Sequence, residues 1–518
     1  MLTASREGGT AGADLRLADL LAALSVTTDL AMGQPEEKAI RACVVATEIA
    51  RQLGLPDHEA SDAYYATLLK HLGCTATPHE ELRFGPDELT ARRVAERTDV
   101  TRPAEILALL RATGVGGGAG RLWYVARAVT ARQENADMLR AICEVATRLA
   151  ARLRLGAGVE EALDQNLERW DGKGEPKKLE GEAIALPARI AEPATQTVIF
   201  HDLGGADAVT TMLERRAGGW FDPRVAEAAR AVAPAVLDRL DRGDPWELVL
   251  AAEPEPIRRV PQDRIDEVAT AFADMIDLKS VYTAGHSQGV ARLAAGAAGR
   301  LGVDPVPVRR AALLHDLGRA AVPIGIWEKP GPLTSAEWER VRIHAYHTER
   351  ILARSEALAP LAPVAGMHHE RQDGSGYHRA ARGGQTPPEA RLIAAADTYQ
   401  ALTQERPHRS ARSAEGAAGD LDDEVAAGRL DPECARAVVE QAGHRPVHRT
   451  AWPAGLSDRE VEVLRLMARG LPNKAIARRL SISPRTAEHH VQHIYTKIGA
   501  STRAAATLFG MEHGLLRG

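Results

Sequence analysis

The chain lacks most of what holds a secreted or membrane-bound protein together. Of its 518 residues only four are cysteines, and Cys43, Cys74, Cys143 and Cys434 show no CxxC spacing. Neither a disulfide framework nor a cysteine zinc site is indicated, and a reducing compartment fits. No stretch approaches the run of about 18 uncharged apolar residues that a spanning helix needs, and the opening "MLTASREGGTAGADLRLADLLAAL" has no basic segment followed by an apolar one. A cytoplasmic location is expected. Aromatic residues are scarce at 4%, so cores should be small and aliphatic. Positive charge is also short overall, with a net charge of -5, yet residues 454–518 hold ten Lys/Arg against five Asp/Glu. A local basic excess is a weak pointer to nucleic acid, and the residue pattern there has to decide.

What the chain does have is length for about three or four domains and an internal repeat. "DLAMGQPEEKAIRACVVATEIARQLGL" from Asp29 aligns without gaps to "DLKSVYTAGHSQGVARLAAGAAGRLGV" from Asp277, at a spacing of 248. The spacing becomes 245 for "LLKHLG" at 68–73 against "LLHDLG" at 313–318, and 202 for "NLERWDGKGEP" at 166–176 against "HHERQDGSGYH" at 368–378. Two units of this size read as paired domains rather than a solenoid.

Val290, Leu293, Ala294, Ala297 and Leu301 form a helical stripe in the second unit, with His286 one turn before it on the same face. A lone inward histidine is more often a core residue than a ligand, but six of the 18 histidines fall between 286 and 369. Asp316 follows His315 directly, and Asp397 closes "RLIAAAD". Imidazoles and carboxylates together suit manganese, iron or zinc. The first unit is an internal control, because His286, His315, Asp316, His368, His369 and Asp397 become Lys38, Lys70, His71, Asn166, Leu167 and Thr195. The candidate ligands vanish as a set, while Gly54, Gly73, Glu168, Asp171, Gly172 and Gly174 persist.

"HDLG", His344, "HHERQDGSGYH" and "AAADTYQAL" resemble the HD-GYP family of metal-dependent phosphodiesterases over about residues 266–405. That resemblance implies an all-helical fold and two divalent metal ions, iron or manganese favoured and zinc allowed, sharing the carboxylate of Asp316. One ion would take His286, His315, Asp316 and Asp397, and the other Asp316, His344, His368 and His369. His347 matches no ligand. Two such cations activate water at neutral pH and clamp a phosphoryl oxygen, so phosphodiester hydrolysis is implied, with His315 and Asp316 as the catalytic pair. Arg319 stands where the family has Lys and is a candidate phosphate clamp. The family's typical substrate is cyclic di-GMP, but Tyr377-His378 replaces its usual Tyr-Pro, and Tyr282 stands where some members carry a third-metal Glu. The first unit should bind no metal, its Lys38 and Lys70 neutralising buried carboxylates such as Asp171, and its role is expected to be structural pairing with the second, the alternative being to bind an anionic ligand without cleaving it.

The end of the chain reads as four short helices. Ser457 and Glu460 make a capping box, Gly470 stops the first helix, and Ser483-Pro484 opens the third. Ala487, Val491, Ile494 and Ile498 face inward, and Ser501 is a candidate cap for the fourth helix. A tight "SIS" turn before a polar third helix suits major-groove reading. Residues 456–517 resemble the LuxR/FixJ helix-turn-helix family. By that resemblance Glu488, His489 and Gln492 face bases, Arg485, Thr486 and Lys497 reach phosphates, and the fourth helix pairs two chains on double-stranded DNA.

The expected organisation is all-α: a tail at 1–18, a degenerate HD-GYP-like repeat at 19–236, a connector at 237–265, a metal-binding HD-GYP-like domain at 266–442, a linker at 443–455 and the DNA-binding domain at 456–518. The leading reading is a DNA-binding transcription regulator, a homodimer on DNA, carrying a dinuclear phosphodiesterase for cyclic di-GMP or another phosphoester. The alternative is a non-catalytic metal or nucleotide sensor in which the HD domains act as sensor and dimerisation scaffold. Intact ligands favour the first, and the altered loop favours the second.

Overall fold

The computed structural model describes residues 14–82, 87–112, 132–443 and 452–516. Ala- and Leu-rich amphipathic segments make these residues helical almost throughout, as the all-α reading requires. The one sheet is a two-residue antiparallel pairing of Leu15–Arg16 with Arg259–Val260, which ties the start of the first module to the connector. No helix among the described residues is long and apolar enough to cross a membrane.

The duplication is visible helix by helix. Leu17–Ala31, Lys38–Gln52 and Asp57–Leu68 begin 248 positions before Ile265–Asp277, His286–Ala298 and Pro305–Leu314. Leu186 opens the long helix Leu186–Arg216, and Pro388, 202 positions later, opens Pro388–Leu402. The same carboxylate fixes the helix entry in both modules. Asp29 accepts from the Ala39 amide at 3.0 Å, and Asp277 from the Ser287 amide at 2.9 Å. The same glycine closes each module too: a Cβ on Gly73 would lie 1.9 Å from the Ile142 carbonyl oxygen, and one on Gly318 would lie 1.9 Å from that of His344. Any larger residue would force the two segments apart.

One divergence matters. The first module has a single helix over Arg132–Arg152, whereas the second divides the corresponding stretch into Ser335–Arg342 and His344–Ala353, so His344 opens a new helix. The residue 202 positions earlier is Ile142, which packs with Met32 and Cys74. Helix Pro223–Arg242 runs through position 236, and Pro245–Ala252 adds another helix, so the stretch expected as a connector is largely helical.

The two modules share one apolar core. Across their junction the buried Glu88 carboxylate accepts from Lys279 Nζ at 2.9 Å and from the Ile324 amide. Glu328 accepts from Ser280 of its own module at 2.8 Å and lies 2.7 Å from His79 of the first. The first module also reaches the helix headed by His344, since Glu36 pairs with Arg350 and Glu37 with Arg354. His347 lies 3.9 Å from Glu36, away from the metal-ligating set.

Candidate metal centre and DNA-binding domain

Apart from Asp397, the predicted ligands sit where a helix begins or ends. His286 is the first residue of its helix, His315 follows Pro305–Leu314, His344 heads its helix, His368 and His369 follow Ala362–Gly366, and Asp397 lies inside Pro388–Leu402. At these ends an imidazole can donate to a carbonyl three residues back. His315 Nδ1 does so to Ala312 at 2.7 Å, His344 Nδ1 to Val341 at 2.5 Å and His368 Nδ1 to Ala365 at 2.6 Å. The proton is thereby held on Nδ1, and the Nε2 lone pair points inward.

The inward atoms divide into two groups about Asp316. Its Oδ1 lies 3.4 Å from His344 Nε2 and 3.6 Å from His368 Nε2. Its Oδ2 lies 3.6 Å from His315 Nε2 and 3.9 Å from His286 Nε2. Asp397 spans the same gap, with Oδ1 3.0 Å from His286 and Oδ2 3.7 Å from His369. Sets of His286, His315 and Asp397, of His344, His368 and His369, and of His315, Asp316 and His368 each gather ligand atoms within 4.8 Å. All seven predicted ligands therefore meet in one place.

The electrostatics suit cations. Burial and the neighbouring His315 and His344 push His368 down to about 3, and burial beside His368 pushes His369 far below its ordinary value. Against their own burial, Asp316 is held well below the carboxylate range by His315 and Arg319, and Asp397 by its bond from His286. Two ionised carboxylates thus lie among imidazoles, three of which, His286, His368 and His369, burial holds below their ordinary value. His315 Nε2 is buried with no hydrogen-bond partner, an arrangement that costs stability unless something electrophilic takes the lone pair. The residues fit divalent metal.

Arg319 donates to Asp316 Oδ2 at 2.9 Å and lies 4.0 Å over the Trp327 ring, placing a cation beside the shared carboxylate. Sequence reasoning missed Gln404 and Arg406. Gln404 Oε1 lies 2.9 Å from His286 Nδ1, and the half-buried Arg406 donates to the Tyr282 carbonyl. Their only signal was position, in the turn just after the helix that carries Asp397. At the rim, the Tyr377 ring lies 4.3 Å from the His369 ring and 6.0 Å from that of Trp338, which is 44% exposed.

The first module fills the same space with fixed charge. Lys38 Nζ lies 2.9 Å from Glu96 and 3.7 Å from Asp29, His71 Nε2 lies 2.9 Å from Glu96, and Lys70 lies 2.8 Å from Glu192. Asn166 donates to the Lys70 carbonyl at 2.8 Å, and Thr195 to Ala191 within its own helix. The expectation that the lysines neutralise Asp171 is corrected: Asp171 is paired with Arg169 at 3.0 Å and with Lys173 at 3.3 Å. Asp171 lies in a loop served by its own arginine, while Glu96 comes from a segment with no recognisable repeat partner.

The C-terminal domain has its four helices at Asp458–Ala468, Asn473–Arg479, Pro484–Ile498 and Arg503–Glu512, the first with the full Ser457–Glu460 capping box. Arg485, Thr486, Glu488, His489 and Gln492 are exposed on the third helix, with the Thr486 hydroxyl bonded to that of Ser483 at 2.8 Å. Lys497 is partly committed elsewhere, to Glu460 at 2.7 Å and the Gly455 carbonyl. Thr502, not Ser501, caps the fourth helix. Ser501 instead bonds Glu144 of the first module.

Comparison with known proteins agrees with this geometry. Residues 121–225 and 270–434 match the HD domain model, and residues 454–509 match that of bacterial regulatory proteins of the luxR family. The chain is 32% identical over 452 residues to 3'3'-cGAMP-specific phosphodiesterase 3 of Vibrio cholerae, covering 84% of this chain and 97% of that protein. A cyclic di-GMP phosphodiesterase of Thermotoga maritima is 32% identical over 185 residues, 35% of this chain and 50% of that one. A crystal structure of a cyclic GMP-AMP-specific phosphodiesterase from V. cholerae superposes with a TM-score of 0.58 at 28% identity, over 84% of this chain and 99% of that one.

Proposed function

Because the chain belongs to the HD-domain family, with an HD-GYP-like phosphodiesterase module joined to a LuxR-type DNA-binding domain, we propose that its second module hydrolyses a cyclic dinucleotide and that the protein regulates transcription. The carrying observation is Asp316, whose two oxygens each face a different group of imidazoles. His286, His315 and Asp397 would hold one divalent ion and His344, His368 and His369 the other, with Asp316 between them. Bound there, the pair would activate water and polarise the phosphodiester. The protein's part is to orient: the Ala312, Val341 and Ala365 carbonyls fix three imidazoles, and Arg319 is poised to turn from Asp316 to a phosphate oxygen.

A cyclic dinucleotide is favoured over a small phosphoester by the rim. Trp338 and Tyr377 extend outward from His369 as an aromatic surface on which a nucleobase can stack. The relatives' names point to the same substrate class. The first module supplies rigidity, holding the short helix Ile324–Trp327 and the His344 helix through Glu88, Glu36 and Glu37. The second reading, a sensor that binds without cleaving, is favoured by one feature: His378 replaces the loop's usual proline and lies 3.6 Å from Glu349.

The deciding experiment measures the metal content of wild type and Asp316→Ala, then hydrolysis of cyclic GMP-AMP, cyclic di-GMP and a base-free phosphodiester by both. About two metals per chain, lost in the variant together with turnover, is the expected result. Bound metal with no turnover of any substrate would replace the enzyme with the sensor.

A further inference from the structure

The face that the fourth helix of the DNA-binding domain turns away from its own domain is already occupied. Ala505, Ala506 and Phe509 pack into the domain's small core, whereas Leu508 and Met511 join the core shared by the two HD modules. Polar contacts surround this apolar seat. Glu144 accepts from the Ser501 amide at 2.8 Å and its hydroxyl at 2.9 Å, and Arg148 donates to the Gly499 carbonyl. Arg152 bridges Asp274 at 2.9 Å and Glu512 at 3.4 Å. The third helix stays outside, its base-facing positions exposed.

The seat lies against the metal centre. Met511 Sδ accepts from the Gly285 amide at 3.2 Å, and the Met511 carbonyl accepts from Gln288 Nε2 at 3.4 Å. Gly285 and Gln288 flank His286, whose ring faces Asp397 and Gln404. One helical turn thus carries a metal ligand on its inner side and the DNA-binding domain on its outer side.

We propose that the paired modules carry a docking surface whose partner is the chain's own DNA-binding domain, and that filling the metal centre tightens it. An ion held by His286 fixes the Gly285–Gln288 turn, and the ordering cost of docking Met511 against that turn is then already met. The coupling is reciprocal: release of the fourth helix loosens the metal, and metal holds the fourth helix. While docked, Leu508 and Met511 are unavailable to a second chain, so pairing through that helix competes with the modules. This inference rests on the metal-centre reading above.

The test is hydrogen exchange of the full chain, stripped of metal and loaded with manganese, with bound manganese verified by elemental analysis. Amides of residues 499–512 should exchange more slowly in the loaded protein, by about fivefold or more, and Asp316→Ala should remove the difference. Glu144→Ala should speed exchange at 499–505 while leaving the first two helices of the DNA-binding domain unchanged, showing that the domain stays folded. Equal rates with manganese demonstrably bound would overturn the coupling and leave the metal centre standing. Failure to bind manganese would overturn both, and an unchanged Glu144→Ala profile would overturn the docking itself.

Discussion

Two descendants of one ancestral module solve the same problem in opposite ways. Each must place buried charge at the point where its helices converge. The second module surrounds Asp316 and Asp397 with imidazoles and leaves His315 Nε2 without a partner. The first presents Glu96 and Glu192 to Lys38 and Lys70, already neutralised at 2.9 and 2.8 Å. Against its burial, Glu96 is held well below its ordinary value by Lys38 and His71, while His71 is pushed down to about 4 by burial and by Lys38. One site is complete as it stands, and the other is complete only with cations. A covalently attached ammonium does the neutralising of a metal ion but offers no open coordination position, so the first arrangement is stable and inert.

The largest break in this comparison comes from Asp316→Ala, expected to remove both ions and at least about a thousandfold of turnover, several kcal/mol of transition-state stabilisation. The matching change in the first module, His71→Ala, should leave metal content and turnover per folded molecule intact. Lost turnover in a folded His71→Ala chain would show that the first site is not inert. Next is Glu96→Gln, which removes the shared counterion of Lys38 and His71. A destabilisation of about 3 kcal/mol is expected, read as a lowered denaturation midpoint with metal content unchanged.

The histidines and aspartates that converge, the repeat and the helix starts were legible because each is a local pattern: residue type at fixed spacing survives duplication, and 248 positions separate helices as they separate residues. Glu96 was not legible. It has no repeat partner in the sequence, and only folding brings it to Lys38. Nor could spacing show that Leu508 and Met511 face another domain, since an apolar stripe fits a domain core, a second chain or a docked neighbour equally well. The same limit applied to Ser501, which fits a helix cap in sequence and pairs with Glu144 in space.

A third prediction concerns Asp274, which the first module replaces with Val26. Burial raises its pKa to about 6 despite Arg152 and Gln288. A carboxyl with a raised folded pKa favours the folded state when protonated, so its contribution falls as pH rises from the unfolded value near about 4 toward 6, by up to about 3 kcal/mol. Asp274→Asn lacks this dependence. Its stability relative to wild type should therefore improve across that window, and parallel denaturation midpoints from pH 4 to 7 would refute the assignment. The smallest effect is at the rim: Trp338→Ala should raise KM for a cyclic dinucleotide by about tenfold, the loss of one stacked base, and leave hydrolysis of a base-free phosphodiester unchanged. Equal losses on both substrates would remove Trp338 from base recognition.

The glycine contacts that close each module carry one more lesson. Gly73 and Gly318 let the chain approach the helices of Ile142 and His344 to the same distance in the two halves, although only one half gathers histidines and aspartates at that point. The scaffold of both halves is thus secured by backbone contact that involves none of these side chains. A fold closed by backbone contact does not depend on its ligands, which is why the first module could exchange its imidazoles for fixed charges and still keep the shape of the second.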